Sequence, residues 1–390
     1  MQAEIAEALA VGPRASCSPG ERAVGRLLEQ RFATFCDEVR AEPFVCHPHA
    51  FLGFIPFVST MTLVALAALG AAPAFAVALA ATAAVVTIAE LLLYVELVDP
   101  LFPQRTGTNV IGVVRPRGAV TQRVILSAHQ DAAWEFNLWY WFKTLGVPVN
   151  LLGLGAAPLF VVGVGIVSLA GALPAGAPVG WGAAALAPFV VLHLVFHTFR
   201  VVPGAMDDLA GLATITAVGR ALAADGLAHT ELVLVACSSE ECGLRGAKRF
   251  VAAHREALAA IPTIDINVDG VYDERFLTVV TRELTTGARH DPALVALARS
   301  VAHDLGHPIA SGMIPFGATD ASAFAAGGLR TVALLCQDIR RLPDNYHTRL
   351  DTLDRVRPQS LQVMADVVGA MVRRLDADAP ITPTGGGPRA

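Results

Sequence analysis

Five short segments of this 390-residue chain carry side chains able to hold a metal ion or move a proton: "SAHQD", "PGAMDDLAG", "SSEECGLRG", "NVDG" and "NYHTRLDT". The first ends an apolar run with His129, followed two residues on by Asp131, as an imidazole ligand sits beside the carboxylate that orients it. The third sets Glu240 and Glu241 side by side just after "ELVLVAC". At the mouth of a strand, successive side chains diverge, so one can face a metal and its neighbour a water. Asp207, Asp269 and His347 come from the other segments. Any one of these pieces alone is a weak signal, because a single His or Asp at a strand end is commonly a capping or hydrogen-bonded residue.

The elements that must position these residues read as one α/β domain. "NVIGVVR", "RVILSAH", "ELVLVAC", "TIDINVD", "FLTVVT" and "RTVALL" have the branched, apolar character of strands. Between them lie helical patterns: "DLAGLATITAVGRALAADG" closed by Gly226, "GAKRFVAAHREALA", "DPALVALARSVAHDLG" and "PQSLQVMADVVGAMVRRL". "SPGERAVGRLLEQRFATFCDEV" opens with a capping box, with Ser18 as cap, Pro19 in the first turn and Glu21 reaching back. Strands alternating with helices predict a mostly parallel, mixed sheet flanked by helices. The five chemical segments then fall beyond strand ends, where open α/β sheets bind ligands.

In this order the segments resemble the co-catalytic zinc metallopeptidases of the aminopeptidase Y type. That group also holds the bacterial leucyl aminopeptidases, the glutamate carboxypeptidase-like enzymes and the glutaminyl cyclases. The resemblance implies a zinc exopeptidase-like fold and two Zn2+ ions. It implies His129, Glu241, Asp269 and His347 as metal ligands, Asp207 as the aspartate bridging both metals, Asp131 as the carboxylate orienting His129, and Glu240 as general base. Paired divalent ions of this kind lower the pKa of a shared water and clamp a tetrahedral oxyanion. The implied activity is hydrolysis of a peptide or small amide, first of all by an aminopeptidase. A zinc-dependent glutaminyl cyclase and a non-catalytic receptor or scaffold are the alternatives. Asp320 in "FGATDASAFAAGG" matches a segment that often ends "SDHxxF", but Ala321 stands where that pattern has His.

Two blocks interrupt this domain. No Asp, Glu, Lys or Arg occurs between Pro43 and Ala89, nor between Thr144 and Phe199. A membrane-spanning helix needs ~20 apolar residues, so each block has room for two spans. They are expected near Ala50–Gly70, Pro73–Leu97, Val147–Ala172 and Val179–Phe199, with Gly- and Pro-rich tips "GAAPA" and "GALPAGAPVG". Four buried helices of a soluble Ala-rich core are the competing reading, but a soluble helix normally shows a polar face. The expected organisation is a discontinuous peptidase domain over 1–49, 100–146 and 200–377, helical hairpins over 50–99 and 147–199, and a disordered tail over 378–390. Trp134, Trp139, Tyr140, Trp141 and Phe142 read as an interfacial aromatic belt. Arg105, Lys143 and Arg200 flank the domain-side ends and place the domain in the cytoplasm by the positive-inside rule. Because the second block lies between His129 and Asp207, the metal centre is expected against the bilayer surface.

Composition agrees with this division. The chain is 54% hydrophobic and 16% charged, with mean hydropathy +0.53, all shifted toward membrane proteins. Its net charge of −5 leaves no broadly basic surface for nucleic acid. Six cysteines show neither zinc-ribbon nor disulfide-scaffold spacing and point to a reduced compartment. The first residues lack a basic start followed by a long apolar stretch, so no signal peptide is expected. His193 and His197 in "HLVFH", and "CHPH" at Cys46–His49, have ligand-like spacing but read as histidines near span ends. Glu90 is a charge inside an expected span, near its end. Substrate preference and oligomeric state are not legible.

Overall fold

Runs such as "RVILSAH" and "ELVLVAC" are apolar without alternation, the pattern of strands covered on both faces. In the computed structural model, which describes residues 1–173, 178–341 and 343–378, they lie at the centre of an eight-stranded sheet. The strands are β1 (Glu38–Cys46), β2 (Arg105–Val114), β3 (Gln122–His129), β4 (Thr230–Cys237), β5 (Thr263–Val271), β6 (Leu277–Glu283), β7 (Ala310–Ile314) and β8 (Arg330–Cys336). Their order is β1-β2-β4-β3-β5-β8-β6-β7. The central run β4-β3-β5-β8 is parallel, β1, β2 and β4 pair antiparallel, and β6 runs antiparallel to β8 and parallel to β7.

Alternate residues of the central strands feed opposite faces. Val124, Leu126, Leu232, Leu234, Ile264 and Ile266 join one core with the helices Pro19–Phe32, Ala210–Asp225, Pro292–Asp304 and Pro358–Ala377. Val280, Ala333 and Leu335 pack with Ala321 of the helix Asp320–Ala326. Each fully buried Val or Leu contributes ~1.5–3 kcal/mol, so the parallel centre is the rigid part of the sheet.

Three sequence expectations for this domain change. The first long helix ends at Phe32, and Glu38–Cys46 pairs along its whole length with β2, so strand pairing takes the Glu38–Val39 end of the segment expected to be helical. "GAKRFVAAHREALA" breaks at His254 into Arg245–Ala253 and Arg255–Ala259. Ser18 caps its helix by accepting the Glu21 N–H at 3.2 Å, but the Glu21 carboxylate reaches past Ser18 to the Cys17 N–H at 2.6 Å.

The chain divides into two compact units, one of Met1–Cys46, Arg105–Ala133 and Val201–Ala390, the other of His47–Gln104 and Trp134–Arg200. The first contains the sheet. The second is helical, and among its described residues three helical segments are long and apolar enough to cross a membrane: Ala50–Ala68, Pro73–Leu92 and Asn137–Leu169. The expected fourth span is instead the 15-residue helix Val179–His193. Just beyond it, the Asn137 side chain and N–H take the carbonyls of Val195 and Phe196, and the chain turns instead of continuing as helix. The third segment starts at Asn137 rather than near Val147 and includes a π-helical stretch, Leu151–Ala156. Ala65, Ala76, Ala80 and Ala157 line the packing between these helices, where small side chains let backbones approach.

The aromatic segment is not uniformly a surface belt. Trp141 is half exposed, but Trp139 is buried and Trp134 stacks on His197 with centroids 4.9 Å apart. Glu90 is buried and accepts the Val98 N–H at 2.9 Å, which accounts for a carboxylate at this depth. Residues 174–177 of the expected tip "GALPAGAPVG" and nearly all of the expected disordered tail, 379–390, lie outside the described residues.

Candidate metal centre

The parallel strands β3, β4, β5 and β8 bring their carboxyl ends to one edge of the sheet, and all five chemical segments meet there. His129 is the last residue of β3. Glu240 and Glu241 follow β4 in a turn whose Ser239 has φ 61°. Asp269 lies at a register shift near the end of β5. Asp207 and Asp208 lie in a non-helical stretch just before the helix Ala210–Asp225, and His347 lies in the loop after β8.

Asp207 is the centre of the cluster. Its Oδ1 lies 2.9 Å from His129 Nε2 and its Oδ2 3.1 Å from His347 Nε2, so one carboxylate faces both imidazoles. Glu241 Oε2 lies 3.2 Å from His347 Nε2, and Glu240 Oε2 lies 4.0 Å from His129 Nε2. Donor atoms of His129, Asp207 and Glu241 converge within 4.8 Å of one another, as do those of His129, Asp208 and Asp269.

Asp131 ties two of these loops together. Its Oδ1 accepts the Glu240 N–H at 3.0 Å and lies 3.4 Å from His129 Nδ1. Its Oδ2 accepts the Glu241 N–H at 3.1 Å and the Ser16 hydroxyl at 2.5 Å. The same buried carboxylate therefore orients the imidazole and fixes the backbone of the glutamate pair.

Several residues of the site carried little or no sequence signal. Asp208 accepts the His129 N–H at 3.2 Å and the Gly211 N–H at 3.0 Å, and a Cβ at Gly211 would meet its carboxylate at 2.3 Å. Asp351, inside "NYHTRLDT", accepts the N–H groups of Met206 and Asp207 at 2.8 and 3.2 Å. Arg14 is buried and donates to the carbonyls of Gln130, Pro203 and Gly204, joining the His129 and Asp207 loops. Glu21 accepts from the Ser238 hydroxyl and the Ser239 N–H, holding the start of the glutamate turn. Adjacent acids marked Asp208, but nothing in "GPRASCSPGE" marked Arg14.

Burial dominates the electrostatics. It pushes Glu240 and Glu241 well above the usual carboxylate range, with the charge of Glu241 adding to the rise of Glu240 and that of Asp207 to the rise of Glu241. Burial, then the charge of Asp207, raises Asp269 to about 8, and burial raises Asp320 to about 7. Burial would raise Asp207 as well, but hydrogen bonds from His129 and His347 hold it low. For His129, burial disfavours the charged ring, yet the partners Asp131 and Asp207 raise it well above its ordinary value. Burial lowers Arg14 to about 10. So concentrated a set of carboxylates, with Glu241 Oε1 buried and lacking a hydrogen-bond partner, suits divalent cations.

Residues 191–372 match Peptidase family M28. The M28 match takes in Asp207, Glu240, Glu241, Asp269 and His347, while His129 and Asp131 precede it. Among solved structures, the aminopeptidase from Aneurinibacillus sp. strain AM-1 aligns with TM-score 0.59 at 15% identity, over 96% of this chain and 93% of that one. BSAP, a zinc aminopeptidase from Bacillus subtilis, aligns with TM-score 0.57 at 14% identity, over 96% and 93%. Bacteroides thetaiotaomicron glutaminyl cyclase aligns with TM-score 0.57 at 12% identity, over 95% and 96%. At such identities the likeness is one of fold. No curated protein matches the chain.

The other candidate histidines and cysteine have partners of their own. His193 lies against the Phe189 carbonyl and the Asn150 side chain, and His197 packs under Trp134. In "CHPH", His47 bonds the Phe102 carbonyl and His49 packs on Trp134, while the Cys46 sulfur meets that of Cys17.

Proposed function

We propose that this protein is a membrane-anchored, zinc-dependent exopeptidase, an aminopeptidase, carrying two Zn2+ ions. The observation that carries the reading is Asp207 between His129 and His347, with Glu241 completing one side and Asp269 the other. His129, Asp207, Glu241, Asp269 and His347 would hold the metal, with Asp207 shared. Bound zinc supplies Lewis acidity toward the scissile carbonyl and a lowered water pKa. Glu240 accepts the proton of the attacking water and hands it to the leaving amine. Its raised affinity for protons, from burial and the neighbouring Glu241, suits a base that must also act as an acid. Asp131 keeps His129 oriented and Glu240 in place. The apolar helices of the second unit provide the anchor, and the charge bias at Arg105, Lys143 and Arg200 favours a cytoplasmic domain.

A glutaminyl cyclase is the second reading, because a solved cyclase shares the fold as closely as the aminopeptidases do. The pairing of His129 with a shared Asp207 favours the two-metal peptidase. The test is Glu240→Gln in the detergent-purified protein. Zinc content by elemental analysis should stay near two per chain, while turnover of amino-acid amides falls ~10²–10⁴-fold. Undiminished turnover would sink the mechanism. Release of pyroglutamyl product from Gln-initiated peptides, with one zinc bound, would favour the cyclase.

A further inference from the structure

Next to the glutamate turn lies a group of sulfurs that the proposed chemistry does not use. The Cys17 and Cys46 sulfurs are 3.1 Å apart, both residues are buried, and both thiols are free. A disulfide holds its sulfurs at ~2.05 Å, so closure requires a movement of about 1 Å. Cys17 just precedes the helix Pro19–Phe32, and Cys46 is the last residue of β1. Cys17 adopts φ 60°, a conformation a non-glycine residue keeps only where its surroundings hold it. Those surroundings include the glutamate turn as well as Glu21 and Arg22 of the following helix. Ser239 Oγ lies 3.3 Å from the Cys17 sulfur and 3.9 Å from that of Cys46. The Cys17 N–H donates to Glu21, whose other oxygen accepts from Ser238 and Ser239. Ser16, one residue before Cys17, donates to Asp131.

We infer that Cys17 and Cys46 are a peroxide-responsive thiol pair whose closure into a disulfide is transmitted to the turn bearing Glu240 and Glu241. The Cys17 thiolate attacks one oxygen of hydrogen peroxide, the O–O bond breaks, and the departing hydroxide leaves as water. The Cys46 sulfur then displaces the oxygen of the Cys17 sulfenic acid as a second water, forming the S–S bond. Two thiols are oxidised by two electrons and one peroxide is reduced to two waters. Closure draws Cys17 toward β1, and the Ser16 and Glu21 bonds must follow. Cys242, whose sulfur donates to the Ser239 carbonyl at 3.3 Å and also interacts with the Cys46 thiol, is a competitor.

The test uses the full-length protein in detergent, reduced, freed of reductant and exposed to hydrogen peroxide. Thiol titration should show two of the six thiols lost, and non-reducing peptide mapping should show Cys17 joined to Cys46, reversed by dithiothreitol. Cys46→Ser should leave Cys17 as a sulfenic acid that dimedone traps, and Cys17→Ser should abolish both products. Six surviving thiols, or a bridge to Cys242 instead, overturn the pairing. Amide hydrogen exchange at residues 239–241 should change on oxidation of the unsubstituted protein and not of Cys46→Ser. Unchanged exchange overturns the transmission. None of these measurements uses peptidase activity, so they stand apart from the proposed function.

Discussion

Asp131 shows how much one carboxylate can settle. It accepts two backbone N–H groups and a serine hydroxyl while facing an imidazole, so both oxygens are committed. Asparagine at this position has one accepting oxygen and an NH2 that opposes an N–H donor. Asp131→Asn is expected to weaken zinc binding ~10–100-fold, measured by competition with a chromogenic chelator. A second expectation concerns protons. Asp269 at about 8, and Asp320 and Asp351 at about 7, lie above the unfolded value of ~3.9 because burial disfavours their ionised forms. The zinc-free folded protein therefore binds more protons than the unfolded chain between about pH 4 and pH 8. Its stability should fall as pH rises across that window. Zinc affinity should rise over the same range, because ligands must lose protons to bind. Calorimetry of stripped and zinc-loaded protein at several pH values checks both slopes.

At the level of elements, the site rests on parallel strands that end together and on loops held to one another. Arg14 has three backbone carbonyls as partners, in the His129 and Asp207 loops, and Gly204 takes φ +65° beside it. Arg14→Met keeps bulk but strands those carbonyls in a buried place. The expected cost is on the order of 3 kcal/mol, read as a lowered Tm together with reduced zinc retention. The strands β3, β4 and β8 were legible as largely apolar runs, and β5 as the branched, alternating segment "TIDINVD". β1 and β7 were not, since edge strands carry mixed patterns and owe their form to their neighbours. The candidate metal-binding residues were legible as short segments. The loop contacts made by Arg14, Glu21 and Asp351 were not, because they join residues far apart in the chain.

Across the whole molecule, the sheet unit and the helical unit exchange the chain at Cys46, Arg105, Ala133 and Val201. The helical unit exposes Phe57, Leu101, Leu159 and Trp181, side chains that water solvates poorly and lipid accommodates. Alkaline carbonate washing of membranes should leave the protein in the pellet. Replacing 147–199 with a short linker should preserve that retention through Ala50–Ala68 and Pro73–Leu92. Unchanged zinc content in that variant means the second block only anchors, and a loss means it supports the His129 and Asp207 loops. By itself, the sequence determined the candidate donor residues, the central strands and the two uncharged blocks, because each is written in adjacent residues: a motif, an apolar run, an absence of charge. Only the tertiary structure decided that Asp207 faces both imidazoles, that Asp131 also holds the glutamate turn, and that the expected fourth span is a 15-residue helix. Those outcomes depend on hydrogen bonds between distant segments, and no local pattern encodes which distant carbonyl or N–H a side chain will meet.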